Sequence, residues 1–157
     1  MNTTPSAVGL TVPDFSLPAT GGTFTLSARR GKPLVLYFYP KDSTPGCTVE
    51  AQQFRDLHGE FAALGCAVFG ISRDSLKSHE NFKGKQCLPF ELLVDADETA
   101  CRLFDVIQMK NMYGKQVMGI QRSTFLIDKA GRLAREWRGI KADGHAAEVL
   151  AAVKALA

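Results

Sequence analysis

The stretch Leu34-Val35-Leu36-Tyr37-Phe38-Tyr39-Pro40-Lys41-Asp42-Ser43-Thr44-Pro45-Gly46-Cys47-Thr48 decides the fold. It opens on an uninterrupted apolar run rich in β-branched and aromatic side chains, which is how a strand buried on both faces of a sheet reads. Pro40 has no N–H to give to a ladder and ends the strand. A polar loop over residues 41–46 follows. Apolar residues then recur at helical spacing, at Val49, Phe54, Leu57, Phe61 and Leu64. Gly65 stands where a helix commonly stops. A buried strand that feeds a helix through a short loop is the repeating unit of a layered α/β protein.

The same unit recurs outward from this stretch. Toward the N-terminus, Thr20-Gly21-Gly22-Thr23 reads as a turn joining short strands near residues 14–17 and 23–27, and Gly31-Lys32-Pro33 as a second turn. Toward the C-terminus, residues 67–71 form the next buried strand. Asp74 is placed to cap a helix running to about Gln86, with Leu76 and Phe82 inward. Residues 92–94 are a short strand and residues 97–104 a short helix. Residues 123–128 and 133–137 read as paired strands about the turn Lys129-Ala130-Gly131. The tail from Gly144 is a helix with Ala146, Val149, Leu150, Val153 and Leu156 inward. The order βαβαβα followed by ββα predicts an α/β protein whose central mixed sheet is flanked by helices, with an N-terminal β-hairpin. A thioredoxin-like arrangement satisfies this pattern. A flavodoxin-like sheet is the alternative, but it calls for more parallel units at the end.

The chain has 157 residues, which points to a single domain over 1–157. With 45% apolar and 22% charged residues it has a globular composition, which excludes a disordered chain. Its net charge of +3 is scattered, and the absence of a basic stripe argues against a nucleic-acid partner. No apolar run is long enough to span a membrane, and the first residues lack the positive and apolar regions of a secretory signal. A reducing, cytoplasmic setting follows, in which Cys47, Cys66, Cys87 and Cys101 are not a structural disulfide framework. No two of them are spaced CxxC, which counts against a zinc knuckle and a dithiol oxidoreductase.

Chemistry concentrates at Cys47. The strand–loop–helix reading puts it in the first helical turn, where unpaired N–H groups and the positive end of the dipole favour an anion such as a thiolate. The loop also lies at the carboxyl end of a strand, where open α/β sheets place ligands. Most lone cysteines are small buried hydrophobes; the Thr-Pro-Gly before Cys47 sets this one apart.

Pro40, Thr44 and Cys47 match every fixed position of P-x-x-x-T-x-x-C, and the segment resembles the active-site motif of peroxiredoxins. Thr44-Pro45-Gly46-Cys47-Thr48, with Glu50-Ala51 beyond, is similar to the peroxiredoxin Q (bacterioferritin comigratory protein) subfamily. So are Val12-Pro13-Asp14-Phe15, Gly70-Ile71-Ser72-Arg73-Asp74 and Arg122-Ser123-Thr124-Phe125-Leu126-Ile127-Asp128. The resemblance implies a thiol-dependent peroxidase acting on hydrogen peroxide and organic hydroperoxides. In that role Cys47 is the peroxidatic cysteine, Thr44 hydrogen-bonds the peroxide, Pro40 shields the sulfur, Arg122 holds thiolate and peroxide, and Glu50 orients Arg122. It implies no metal or organic cofactor, thioredoxin or else glutaredoxin or glutathione as reductant, and a monomer.

The chain departs from the subfamily at the resolving cysteine. Gln52 occupies the position five residues after Cys47. Ser78-His79-Glu80-Asn81-Phe82 is followed by Lys83, where some relatives carry a cysteine. Cys87 lies about one helical turn further and is either a displaced resolving cysteine or a partly buried thiol at a helix end. Cys101 fits a core role and Cys66 an inert one, and His79 is either a histidine on the active-site side of its helix or, the safer reading, a surface histidine. With no internal partner, an external thiol attacks the sulfenic acid. A non-enzymatic redox sensor is the competing class; the joint presence of Pro40, Thr44 and Arg122 favours the enzyme.

Overall fold

The computed structural model describes residues 8–112 and 114–156. Residues 1–7, part of the segment read above for a secretory signal, lie outside the described residues. Leu34–Phe38 is the central strand, fully buried along its length. In chain order the elements are β1 (Ser16–Ala19), β2 (Gly22–Thr25), β3 (Leu34–Phe38), α1 (Pro45–Ala63), β4 (Ala67–Ser72), α2 (Leu76–Gln86) and β5 (Glu91–Val94). They continue with α3 (Thr99–Leu103), β6 (Ile107–Met112), β7 (Lys115–Ile120), β8 (Ser123–Ile127), β9 (Leu133–Arg138) and α4 (His145–Leu156).

Seven strands form one sheet in the order β2-β1-β5-β4-β3-β8-β9. β3 runs parallel to β4, and β4 to β5, while β1, β8 and β9 pair antiparallel. The mixed sheet and the N-terminal hairpin are as expected, with the hairpin strands displaced from residues 14–17 and 23–27. Alternation along β3 divides the core. Val35, Tyr37 and Tyr39 join Phe54 and Phe61 of α1, Phe82 of α2 and Val149 of α4 on one face. Leu34, Leu36 and Phe38 join Phe15, Phe24 and the α3 residues Ala100 and Cys101 on the other.

Several local expectations are corrected. Ser75, not Asp74, caps α2, its hydroxyl accepting from the Ser78 N–H. Val49, Leu76 and Leu156 are exposed rather than inward. The buried face of α1 runs through Cys47, Glu50, Ala51, Phe54 and Phe61, and the carboxylate on that face is invisible to apolar periodicity. α3 is shorter than residues 97–104, because the Asp95 carboxylate caps it at the Ala100 and Cys101 N–H groups. β6 and β7 form a separate antiparallel hairpin that the sequence did not suggest.

Gly70 in β4 shows how tightly the sheet packs near the site. A Cβ there sits 2.8 Å from Leu92 Cδ2 and 2.8 Å from Tyr37 Cζ. Tyr37 cannot yield, since it is wholly buried and stacked on Phe54 at 4.6 Å. Gly70→Ala is therefore expected to destabilise the fold by about 1–3 kcal/mol, read as a lower urea midpoint with the slope unchanged. A midpoint equal to wild type would contradict this packing.

Candidate active site

The loop after β3 delivers Cys47 to the helix start as the sequence implies. Thr44 is the N-cap of α1, with extended backbone, and Pro45 opens the helix. Pro there loses nothing, because the first N–H groups have no intrahelical partner. The first helical bond runs from the Thr48 N–H to the Thr44 carbonyl at 2.9 Å. The amides of Gly46 and Cys47 thus belong to the polar end of the helix, beside the buried Cys47 sulfur.

Arg122 reaches this point through strand register. β8 pairs antiparallel with β3, and Ser123 lies opposite Phe38. Arg122, one residue before β8, therefore stands beside the carboxyl end of β3. Its guanidinium spans two α1 residues: Nη1 donates to Glu50 Oε1 at 2.7 Å, and Nη2 donates to Cys47 Sγ at 3.4 Å. Cys47 and Glu50 are three residues apart and share a helix face. Gly46 leaves room for the fork, since a Cβ there lies 3.1 Å from Arg122 Nη2.

The electrostatics of the fork are uneven. Burial opposes the charge on Arg122, but Glu50 and then Cys47 outweigh it and hold the guanidinium's pKa above its usual value. Burial pushes the Glu50 carboxyl up to about 7 against the pull of Arg122. Glu50 is fully enclosed, and its Oε2 has no hydrogen-bond partner.

Of the other thiols, burial pushes Cys66 up to about 12, so it stays protonated and inert. Cys101 is wholly buried, and burial, then Asp95, push it further up. Cys87 is exposed, not partly buried, and caps α2 in a left-handed conformation at φ 54°. The adjacent Gln86 is tied to α1: its Oε1 accepts from Gln52 Nε2 at 2.9 Å and its carbonyl from Arg55 Nη1 at 2.9 Å. Gln52 lies five residues beyond Cys47, roughly 7.5 Å along the helix. The two Gln86 hydrogen bonds tie the end of α2, and with it Cys87, to α1 beyond Cys47.

His79 is not a surface residue. It is wholly buried, with Nδ1 2.6 Å from Asp42 Oδ2 and Nε2 2.7 Å from the Leu93 carbonyl. Asp42, His79 and Asp74 each bring a ligand-type atom within 4.8 Å of the others. Those atoms already bond within the protein: Asp42 accepts from Tyr39 and Ser78, and Asp74 from Ser72 and the Asp42 N–H. These bonds tie the cluster to the loop before Cys47. Its sequence signal was Asp42 inside the Cys47 motif together with Ser78-His79 on the next helix; apolar pattern reading passes over both.

Residues 8–136 match the model of the AhpC/TSA family. The chain belongs to the AhpC/TSA family. Within it, the chain is 56% identical over 143 residues to the Xanthomonas campestris peroxiredoxin Bcp, covering 90% of this chain and 89% of that one. It is 51% identical over 148 residues to the Bacillus subtilis peroxiredoxin Bcp, covering 94% of each. Among solved structures, the X. campestris bacterioferritin comigratory protein, described for its alkyl peroxide reduction activity, superposes with a TM-score of 0.89 at 52% identity. That match covers 96% of this chain and 99% of that one. A Xylella fastidiosa peroxiredoxin Q superposes with a TM-score of 0.92 at 43% identity over 98% of each chain. These AhpC/TSA neighbours bear out the family and the thioredoxin-like fold expected from the sequence, against the flavodoxin-like alternative. None of the described helices is long and apolar enough to cross a membrane.

Proposed function

We propose that this chain is a thiol peroxidase in which Cys47 is the peroxidatic cysteine. The observation that carries the reading is the Arg122 fork, 3.4 Å from Cys47 Sγ and 2.7 Å from Glu50 at a helix N-terminus. In the reaction the Cys47 thiolate attacks the terminal oxygen of a hydroperoxide. An S–O bond forms, the O–O bond breaks, and the departing oxygen leaves as water or an alcohol after taking a proton. Sulfur is oxidised to sulfenic acid and the peroxide is reduced. Arg122 and the α1 amides face the charge that develops on the departing oxygen. The Thr44 hydroxyl donates to the Lys41 carbonyl at 2.8 Å, so its lone pairs are left to accept the peroxide O–H. Pro40, half-buried beside the loop, limits water at the sulfur. Glu50 steadies the guanidinium. The whole 157-residue chain acts as one such domain.

Cys87 then attacks the sulfenic sulfur, a disulfide forms, and water leaves. Its exposure at the end of α2 supports this role; Cys101, in the opposite face of the core, is unsuited to it. Thioredoxin or a similar thiol reductant reduces the disulfide. The enzyme works as a cytoplasmic monomer, and a thiol cycle needs no metal or organic cofactor.

The test is to treat reduced protein with one equivalent of hydrogen peroxide and weigh intact protein and non-reduced peptides. The expected result is loss of two hydrogens with Cys47 and Cys87 in one linked peptide. A single oxygen on Cys47 without an internal link replaces Cys87 by an external thiol. Oxidation elsewhere with Cys47 untouched overturns the peroxidase reading.

A further inference from the structure

We propose that His79 is a positioning residue for peroxide reduction, which fixes the β3–α1 loop through Asp42 and so aims the Thr44 hydroxyl. The proposal rests on the reading of Thr44 given above.

The hydrogen bonds define how the ring is held. Nε2 faces the Leu93 carbonyl, which only accepts, so Nε2 carries a hydrogen. Nδ1 faces Asp42 Oδ2 at 2.6 Å, and a proton lies in that contact too. Both nitrogens are committed, one to β5 and one to the loop, and in a fully buried site the ring cannot turn without leaving a polar group unpaired.

Asp42 is gripped from several sides. Tyr39 donates to its Oδ1 at 2.5 Å and Ser78 of α2 to its Oδ2 at 2.8 Å, while its own N–H donates to Asp74 Oδ2 at 2.9 Å. That N–H shares a planar peptide with the Lys41 carbonyl, which accepts the Thr44 hydroxyl. One rigid plane thus links the buried cluster to the side chain facing the peroxide. Ser43, between them, has φ +64°, a left-handed conformation that a residue with a Cβ adopts reluctantly. The loop therefore needs an outside grip to keep this shape, and His79 with Asp42 supplies it.

The test is a double-mutant cycle on kcat/KM for hydroperoxide, with ultraviolet absorbance reporting the thiolate at the same pH. His79→Asn is expected to lower kcat/KM about 10–100-fold in the otherwise wild-type protein, the scale of a misplaced contact. In a Thr44→Val background the loss is expected to shrink to about threefold or less, because the group being aimed is gone. Thiolate absorbance stays at the wild-type level, since Arg122 and α1 are untouched. An equal loss in both backgrounds overturns the proposal and leaves Thr44 in its role. A Thr44→Val protein as fast as wild type overturns the Thr44 reading and the proposal together. Should His79→Asn fail to fold, Tyr39→Phe removes one hydrogen bond from the same carboxylate and carries the cycle with the same expected pattern.

Discussion

Arg122→Ala is expected to lower kcat/KM for hydroperoxide by about a thousand-fold or more, with no more than about tenfold of that loss traceable to thiolate ionisation. The division follows from arithmetic. An ordinary free thiol with a pKa of about 8.5 is roughly 3% ionised at pH 7, so full ionisation is worth at most about 30-fold. Even that gain is discounted, because a more acidic thiol is a weaker nucleophile, with a Brønsted slope of about 0.4–0.5. Losing a preorganised donor to a developing oxyanion costs about 100–1,000-fold. Arg122 is placed to do both, since one arm of its fork touches sulfur and the other is anchored on Glu50. The measurement pairs a thiolate titration with rates taken at a pH where both proteins are fully ionised. A gap of 100-fold or more remaining there is the expected outcome. Rates that converge at full ionisation show that Arg122 acts only on the sulfur. Arg122→Lys is expected to fall between the two proteins, because an ammonium is one point of charge and cannot span Cys47 and Glu50 together.

What the sequence disclosed follows a physical rule. β3 was legible because a strand buried on both faces leaves an unbroken apolar run, and α1 because apolar residues recur at helical spacing before Gly65, whose φ is +70°; its first turn, Pro45 and Gly46, was read as loop because neither residue carries that spacing. Cys47 was legible because a strand, a short loop and a helix put it in the first helical turn; Thr44 and Pro40 were legible through the motif they share with the family. Arg122 was legible only through resemblance; it lies 75 residues from Cys47 in sequence and is brought there by the register of β8 against β3. His79 was misread because a polar residue on a mostly polar helix looks solvated until its partner is known, and that partner, Asp42, is 37 residues away. The β6–β7 hairpin was missed because Met109 and Met118 are exposed beside polar neighbours, so neither face shows the alternation of a strand covering a core. Long-range polar pairing and thinly covered strands are the two features that local apolar pattern does not encode.

Glu50→Gln is expected to abolish a large pH dependence of stability. Burial lifts the Glu50 carboxyl from its ordinary 4.5 to about 7 in the folded protein. Between those values the folded chain keeps a proton that the unfolded chain has released. The stabilisation from this group is therefore full below about pH 4.5, declines as pH rises, and is gone above about pH 7. The shift corresponds to about 3 kcal/mol lost across the window. Glutamine keeps the shape and an acceptor for Arg122 but has no proton to lose. Urea unfolding at pH 5 and pH 8 is the measurement. Glu50→Gln is expected to flatten the wild-type decline by about 3 kcal/mol, leaving the variant more stable than wild type at pH 8 relative to pH 5. A decline identical in both proteins means that Arg122 keeps Glu50 ionised throughout. The expected result also explains why a costly carboxylate sits on the buried face of α1: it holds the Arg122 fork on Cys47, and the fold gives up stability at neutral pH to keep it there.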